Sequence, residues 1–514
     1  MNIETFIEKL KTLGIDVETS RTSVLFPCPL SDHPSEPKSK PPRITVGKTT
    51  KMGKCSVCGK EEDLDGLIIA VERSLAKGGT GQAIASRPRF MKLEHLVKRV
   101  DFAAWRSVIG KHFPDLLFPA EVGLSIIAQI LIKDVTNPFA LVLVDVPSSG
   151  KTITINFFQG IDDLTYASDK FTPAAFVSNA NNVKKKDLPK IDLLPRLQYK
   201  MLLLRDLSTL FAKREEDLTD LLGLLTRVLD GEGLNTDSGV HGQRQYVGEY
   251  LFMILAGSTP IRPRIWNMMG SLGSRLFFLD MHSREKTEDE LAEQLGSEAF
   301  KKMEATCRAT TKFLLETLWY DHQYGIEWDK ASDRKDYKLI ISRCAKLLAR
   351  LRGVIQVWKD RNSLDEAYEY NSPVIERADR INQLFYNVAR GHAVACGRER
   401  IEQEDLRVVI ELAIDSCMPM RAKLFRAVLN GDGEIGTGDA MASLDCSRPT
   451  AHGEMEKLVL LKICHYEAQD HLAPGGQEKK IRLNDEFSWF LSDECRRVRG
   501  LVSKPEKPTT VVSL

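Results

Sequence analysis

The spacing of apolar positions changes several times along the chain, and each change marks an element. Ile3, Phe6, Ile7 and Leu10 recur at helical spacing and predict a short amphipathic helix near the N-terminus. A short strand is expected at 44–46. From residue 118 the run AEVGLSIIAQILIKDV predicts an apolar helix. It leads into Leu141, Val142, Leu143, Val144 and Val146, an apolar run broken only by Asp145 and readable as a buried parallel strand. Further strands are expected at 174–178, within 200–211, in LFMILAGSTP ending at Ser258 and Thr259, and directly after Arg275. Strands alternating with helices predict an α/β layer around a parallel sheet. Residues 285–415 keep the three-to-four spacing of helices. Between 420 and 495 the pattern changes to three short helices, the third starting at Ser447 with Pro449 in its first turn, then two short β segments around Gly475 and Gly476. The tail after Gly500 is expected to be disordered.

Length and charge narrow the picture. A chain of 514 residues predicts roughly three or four domains. The net charge of +1 gives no global basic field, so any contact with nucleic acid would come from local patches. No uninterrupted apolar run reaches membrane-spanning length, so no membrane association is expected. The N-terminal segment carries acids, unlike a secretory signal. Ten cysteines in so long a chain do not suggest a disulfide scaffold; a cytoplasmic, reducing compartment is expected, where close cysteine pairs point to metal.

The densest chemistry lies in LVLVDVPSSGKT, residues 141–152. A strand is followed by the small-residue turn Pro147, Ser148, Ser149 and Gly150, and Lys151 and Thr152 open a helix. Loop and first-turn N–H groups there would converge on an anion. Lys151 would reach the β- and γ-phosphates of ATP, and Thr152 would ligate Mg²⁺. Asp145 stands where GxxxxGK[ST] usually begins with Gly. Asp206, at the end of KMLLLRD, holds the place of the strand-end carboxylate that holds Mg²⁺ through water. Leu207 occupies the next position, where a water-positioning Glu is usual. Either Asp206 does both jobs, or Glu215 or Glu216 approaches, or hydrolysis is slow.

Near the N-terminus, Cys55 and Cys58 form a CxxC knuckle, with Cys28 and His33 upstream. Three thiolates and one imidazole would make a closed, structural Zn²⁺ site, the alternatives being a site with only three of these ligands or one with an aspartate such as Asp32. CP…H, the PPRITV strand, KCSVCG and the DGLIIAVE helix resemble the zinc-binding domain of bacterial-type DNA primases. There the first Cys and the His are separated by two residues; here four intervene. That resemblance implies single-stranded DNA contacts at Arg43, Lys48, Lys51 and Lys54. No acidic pattern of a primase polymerising core follows, so primase chemistry is not expected.

The order of phosphate loop, Asp206, polar Ser258 and then Arg275 resembles the core of an AAA+ ATPase, and GSR before an apolar strand resembles minichromosome-maintenance-type helicases. The resemblance implies that Ser258 senses the γ-phosphate or attacking water, and that Arg275 reaches a neighbouring subunit's γ-phosphate. It also implies a homo-oligomer, expected as a hexameric ring. Residues 372–416 resemble the helical lid of that class, with Arg377 or Arg380 as a possible second sensor. Gly239, His241, Gly242 and Arg244 suggest a protruding DNA-contacting hairpin. The C-terminal pattern reads as a winged helix-turn-helix, with Arg448, Thr450 and His452 at the recognition helix and Lys479, Lys480 and Arg482 on the wing.

The expected architecture is therefore a multidomain α/β chain. It comprises a zinc ribbon (1–75), a linker (76–100), a P-loop core with a parallel sheet (101–284), a helical lid (285–419), a winged helix (420–495) and a tail (496–514). Together these parts resemble mobile-element or phage replication proteins. The resemblance implies an ATP-driven helicase acting on single- and double-stranded DNA, or, alternatively, a non-motor origin-binding protein or helicase loader.

Overall fold

The structure, a computed structural model, describes residues 2–12, 17–20, 22–27, 43–50, 52–55, 61–68, 89–90, 96–178, 187–238, 242–271, 275–295, 298–359, 368–467 and 479–501. It divides into two compact units, Met1–Ser86 with Gln245–Val247, and Arg87–Arg244 with Gly248–Leu514.

The first unit is an antiparallel meander. Strands β1 (Glu18–Thr19), β2 (Ser23–Pro27), β3 (Arg43–Gly47), β4 (Met52–Cys55) and β5 (Glu61–Asp63) each pair with the next. Alternate residues of a strand face one side. Val24 and Phe26 thus join Ile44 and Val46 in a core closed by Phe6 and Leu10 of the helix Ile3–Thr12 and by Leu64, Leu67 and Ile68 of a helical turn at 64–68. Gly53 allows that turn to lie against the sheet, since a Cβ there would sit 2.5 Å from Leu67 Cδ1. Cys28, His33, Cys58, Asp32 and Lys51 lie outside the described residues, as does the side chain of Cys55.

The second unit is built on a five-stranded parallel sheet. Its strands are β6 (Phe139–Val144), β7 (Thr165–Ser168), β8 (Met201–Leu204), β11 (Met253–Ser258) and β12 (Leu276–Asp280), in the order β12-β6-β11-β8-β7. Between β8 and β11 the chain forms a ribbon, β9 (Gly233–Ser238) with β10 (Gly242–Val247). Every residue of β6, β8 and β11 is buried, which explains their unbroken apolar runs. The strand expected at 174–178 is absent. Thr172 is extended, and Pro173 opens the helical turn Pro173–Phe176; the second strand forms earlier, at Thr165–Ser168. The apolar run Ala174–Val177 does not by itself separate the two outcomes.

Helix Leu117–Ala128 is buried along nearly its whole length beneath the sheet. The stretch Pro114–Leu131 is long and apolar enough to cross a membrane, but 78% of it is buried inside the protein. Helix Asp379–Ala395 lies along it at very close range. A Cβ on Gly391 would sit 2.0 Å from the carbonyl of Ser125, so only glycine permits this approach. The end of the buried helix is held by Arg89. Its guanidinium donates to the carbonyls of Ile130, Ile132, Lys133 and Val135, and to Glu249 Oε1 at 2.9 Å. One arginine thus partners a carbonyl of the closing 3-10 turn and three in the segment that follows it.

The helical region is interrupted by an antiparallel pair that the sequence reading did not anticipate, β13 (Val357–Lys359) with β14 (Tyr368–Tyr370). The C-terminal elements run helix Pro419–Asn430, β15 (Glu434–Gly436), helix Thr437–Leu444, helix Arg448–Leu460, β16 (Cys464–Tyr466) and β17 (Lys480–Leu483). Their sheet order is β15-β17-β16, antiparallel throughout. One continuous hydrophobic core extends from Val100 to Val498. Arg421, buried beneath these helices, donates to the carbonyls of Leu351 and Gly353 at 2.8 and 2.7 Å and so ties the C-terminal elements to helix Lys335–Leu351.

Candidate nucleotide site

The loop after β6 turns sharply before entering the short helix Lys151–Asn156. Ser148 and Gly150 both adopt positive φ, at 67° and 96°. For Gly150 two constraints coincide, since a Cβ would also lie 2.7 Å from Leu116 Cδ2. Lys151 is buried and turned back into the loop. Its Nζ donates to the carbonyls of Asp145 and Val146 at 2.8 and 2.6 Å and to Ser149 Oγ at 3.0 Å. Burial lowers the ammonium pKa, opposed by the charges of Asp145 and Asp206, which places both carboxylates within electrostatic reach. Pro147, Ser148 and Thr152 are exposed at the mouth of the loop.

Asp145 explains the departure at the head of the motif. Its Oδ1 accepts from the N–H of Val146 at 2.7 Å and its Oδ2 from the N–H of Ser283 at 3.1 Å. The side chain thus braces the loop against the segment that leaves β12. No single-sequence pattern marked Ser283, because the link spans 138 residues.

Asp206 follows β8, exposed, with its Oδ1 accepting the N–H of Ser208 at 2.7 Å. Ser208 in turn meets Thr259, Oγ to Oγ1 at 2.8 Å, and accepts the Thr259 N–H at 3.0 Å. Ser258 is fully buried and donates its hydroxyl to the carbonyl of Thr259 at 2.8 Å. The hydroxyl joined to the Asp206 turn is therefore that of Thr259, one residue beyond the expected Ser258. Leu207 is buried; Glu215 and Glu216 are exposed at the start of helix Glu215–Val228. Strand β11 lies between β6 and β8, so its polar end falls between the loop and the acid. Gly257 permits that closeness, since a Cβ there would stand 3.4 Å from Lys151 Cβ and 2.8 Å from the Arg205 carbonyl.

No family model matches this chain, and no curated protein matches it. Among solved structures, it is similar to one described as an active helicase, Cch of SCCmec type IV, at 10% identity over 92% of this chain and 97% of that one, with a TM-score of 0.32. It is also similar to the apo C-terminal region of NrS-1, at 12% identity over 93% and 98% of the two chains, with a TM-score of 0.25. Likenesses this distant carry no argument about function, which rests on the residues.

Arg275 stands at the opposite end of the strands from the loop. It precedes Leu276, which pairs with Ala140 at the start of β6, whereas the phosphate loop leaves the other end of that strand. Its guanidinium forms an ion pair with Asp230. Arg377 and Arg380 are exposed, and Arg380 lies near enough to act on the charge of Arg275.

The expected DNA contacts divide between two places. His241 lies outside the described residues. Arg244 lies within β10, beside Thr236 of β9, and its guanidinium reaches the fully buried carboxylate of Asp192 at 2.6 Å, a position suited to bracing the ribbon. Asp192 also accepts from the N–H and hydroxyl of Ser178. In the C-terminal elements, Arg448, Thr450, Lys479 and Lys480 are all exposed. His452 Nε2 lies 3.0 Å from Thr437 Oγ1, and burial followed by the charges of Lys479 and Arg448 lowers its pKa. Lys479 Nζ stands 5.7 Å from the centre of the Tyr466 ring. Arg482 instead pairs with Glu434.

A second cluster, His392, Cys396 and Asp405, has metal-ligand chemistry, with its ligand atoms within 4.8 Å of one another. Its geometry is that of a charge network. His392 lies 2.5 Å from Asp405 by Nδ1 and 2.9 Å from Glu121 by Nε2. Asp405 also accepts two bonds from Arg398 and the N–H of Glu402, which fills both oxygens. Burial opposes the imidazolium, yet Asp405, Cys396 and Glu121 hold its pKa well above the usual histidine value. The cluster clamps the helices Leu117–Ala128 and Asp379–Ala395 together.

Proposed function

We propose that this protein is an ATPase of the AAA+ class that acts on DNA as a ring-forming helicase or helicase-like replication protein. The observation that carries the reading is the convergence of three strand ends. The loop with left-handed Gly150 and inward Lys151 leaves β6, Thr259 leaves β11, and Asp206 leaves β8. In parallel sheets such strand ends form the crevice where ligands bind. The donor set fits a nucleotide triphosphate with Mg²⁺. Lys151 supplies positive charge to the phosphates, and the exposed Thr152 hydroxyl and Asp206 carboxylate supply oxygen ligands of the kind Mg²⁺ takes. The bound metal would neutralise charge on the transferring phosphoryl group. Thr259, held by Ser208, is placed to orient a water or phosphate oxygen; Asp145 keeps the loop braced.

Arg275 is too far from its own loop to serve it, so in this reading it serves a neighbour. The order of the C-terminal elements and the antiparallel pairing β15-β17-β16 support a winged-helix reading, in which exposed Arg448, Thr450, Lys479 and Lys480 would face a duplex. The ribbon β9–β10 would contact single-stranded DNA at its tip, and Cys28, His33, Cys55 and Cys58 would bind zinc in the first unit.

One observation favours a second reading, a non-motor origin-binding protein or helicase loader. Buried Leu207 follows Asp206 where a water-positioning carboxylate is usual, and Glu215 and Glu216 are exposed. ATP turnover with and without single-stranded DNA, followed by strand displacement on a forked duplex, separates the two. DNA-stimulated turnover with displacement supports the motor; slow turnover without displacement supports the switch. No nucleotide binding would refute both.

A further inference from the structure

We infer that Asp230 is a latch on Arg275: in the separate protomer it holds the guanidinium in an intramolecular ion pair, and assembly exchanges that carboxylate for the phosphates of a neighbour's nucleotide. The inference rests on the trans-acting role proposed for Arg275 and adds a regulatory contact to it.

Arg275 is not displayed freely. Its side chain is 11% exposed and paired with Asp230, whose side chain is 31% exposed. The same carboxylate lies 3.3 Å from Arg227, which also approaches the largely exposed Glu232 at 3.4 Å. Arg380 adds a further positive charge nearby. Burial, then Arg380, lower the pKa of Arg275, Asp230 opposes them, and Arg227 lowers it further. Arg380 and Arg227 therefore press on the charge that Asp230 offsets, and Arg227 also competes for the same carboxylate.

The carboxylate is the fixed half of the pair. Asp230 is followed by Gly231, with φ at 79°, where a Cβ would lie 2.4 Å from the Thr136 carbonyl. The Gly231 carbonyl also accepts the N–H of Tyr250 at 2.7 Å. This turn is locked against the start of β6, so Asp230 cannot follow the arginine outward. Terminal phosphates carry more charge than one carboxylate and match the guanidinium fork, so they would displace Asp230 once a neighbour presents them. Arg275 is thus withheld until a loaded neighbour arrives.

The test compares turnover per subunit as a function of protein concentration, with sedimentation velocity in a nonhydrolysable ATP analogue as a second readout. Asp230→Asn should lower the concentration of half-maximal activity and assembly by about fivefold, equivalent to about 1 kcal/mol, with the plateau rate unchanged. Arg227→Gln removes a competitor for the carboxylate and should shift the midpoint upward. This opposite-sign variant keeps the test sound if Asp230→Asn folds poorly, which thermal melting would reveal. A plateau lost in Asp230→Asn would make Asp230 an orienting residue of the working ring. Unmoved midpoints in both variants would make it a bystander. Either result overturns the latch while Arg275→Ala still abolishes turnover. Full turnover by Arg275→Ala would instead sink the trans-arginine role itself.

Discussion

If Arg275 serves a neighbour while Lys151 serves its own loop, two inactive variants should restore activity when mixed. The perturbation is Lys151→Ala in one preparation and Arg275→Ala in the other. Leu276 pairs with Ala140 and Asp280 with Val144, so Arg275 is level with Phe139. At about 3.3 Å per residue, the five steps to Val144 put it roughly 16 Å from the strand end that carries the loop. No side chain bridges that gap, so rescue inside one protomer is excluded. Trans arginines contribute about 10³–10⁵ in rate where they act on phosphoryl transfer, so each variant alone should be inactive in a phosphate-release assay. In an equal mixture, an interface works only when an Arg275-intact protomer faces a Lys151-intact one. With random incorporation into a head-to-tail ring, that holds at about one quarter of interfaces, and turnover should return to about that fraction of wild type. Absence of any recovery while sedimentation still shows mixed assemblies would refute the assignment.

Three further outcomes are expected. His392→Gln leaves Glu121 and Asp405 facing each other without their shared cation, and should cost about 3 kcal/mol, measured by denaturant unfolding. The folded-state pKa of His392 is raised, so this stabilisation should be complete below about pH 6.5 and fade as pH rises through the raised value. A variant-to-wild-type difference that grows with pH would contradict the network. Lys479→Ala should weaken duplex binding and reduce the salt dependence of the binding constant by about one unit, read by fluorescence anisotropy; an unchanged slope would remove Lys479 from the interface. Cys55→Ser should abolish zinc, measured by elemental analysis of protein purified under reducing conditions, while nucleotide binding by the second unit persists. A wild type without zinc would end the ribbon assignment.

The sequence exposed those features that depend on neighbours along the chain. The loop at 147–152 was legible because a buried strand, small residues and a helix start succeed one another within twelve positions. Asp206 was legible for the same reason, at the end of an apolar strand. What stayed hidden depends on chain separation. The Asp145–Ser283 bond, the Ser208–Thr259 pair and the Arg244–Asp192 ion pair each join segments more than fifty residues apart. The helical turn at Pro173 was missed for a different reason. A short apolar run fits either structure, and the proline at its head decided between them.

Arg89 has a practical consequence for taking the protein apart. A fragment cut by composition alone would begin at about residue 101, after the glycine-rich stretch that resembles a tether. That cut discards the guanidinium serving four carbonyls at the end of the helix beneath the sheet, and it strands Glu249 as well. Solubility and melting temperature would then report damage inflicted by the scissors, not the autonomy of the folded body. An expression boundary placed upstream of residue 87 retains the clamp together with Phe90, Arg99 and Val100, and an Arg89→Ala variant of that longer fragment weighs the one arginine against the integrity of the whole second unit.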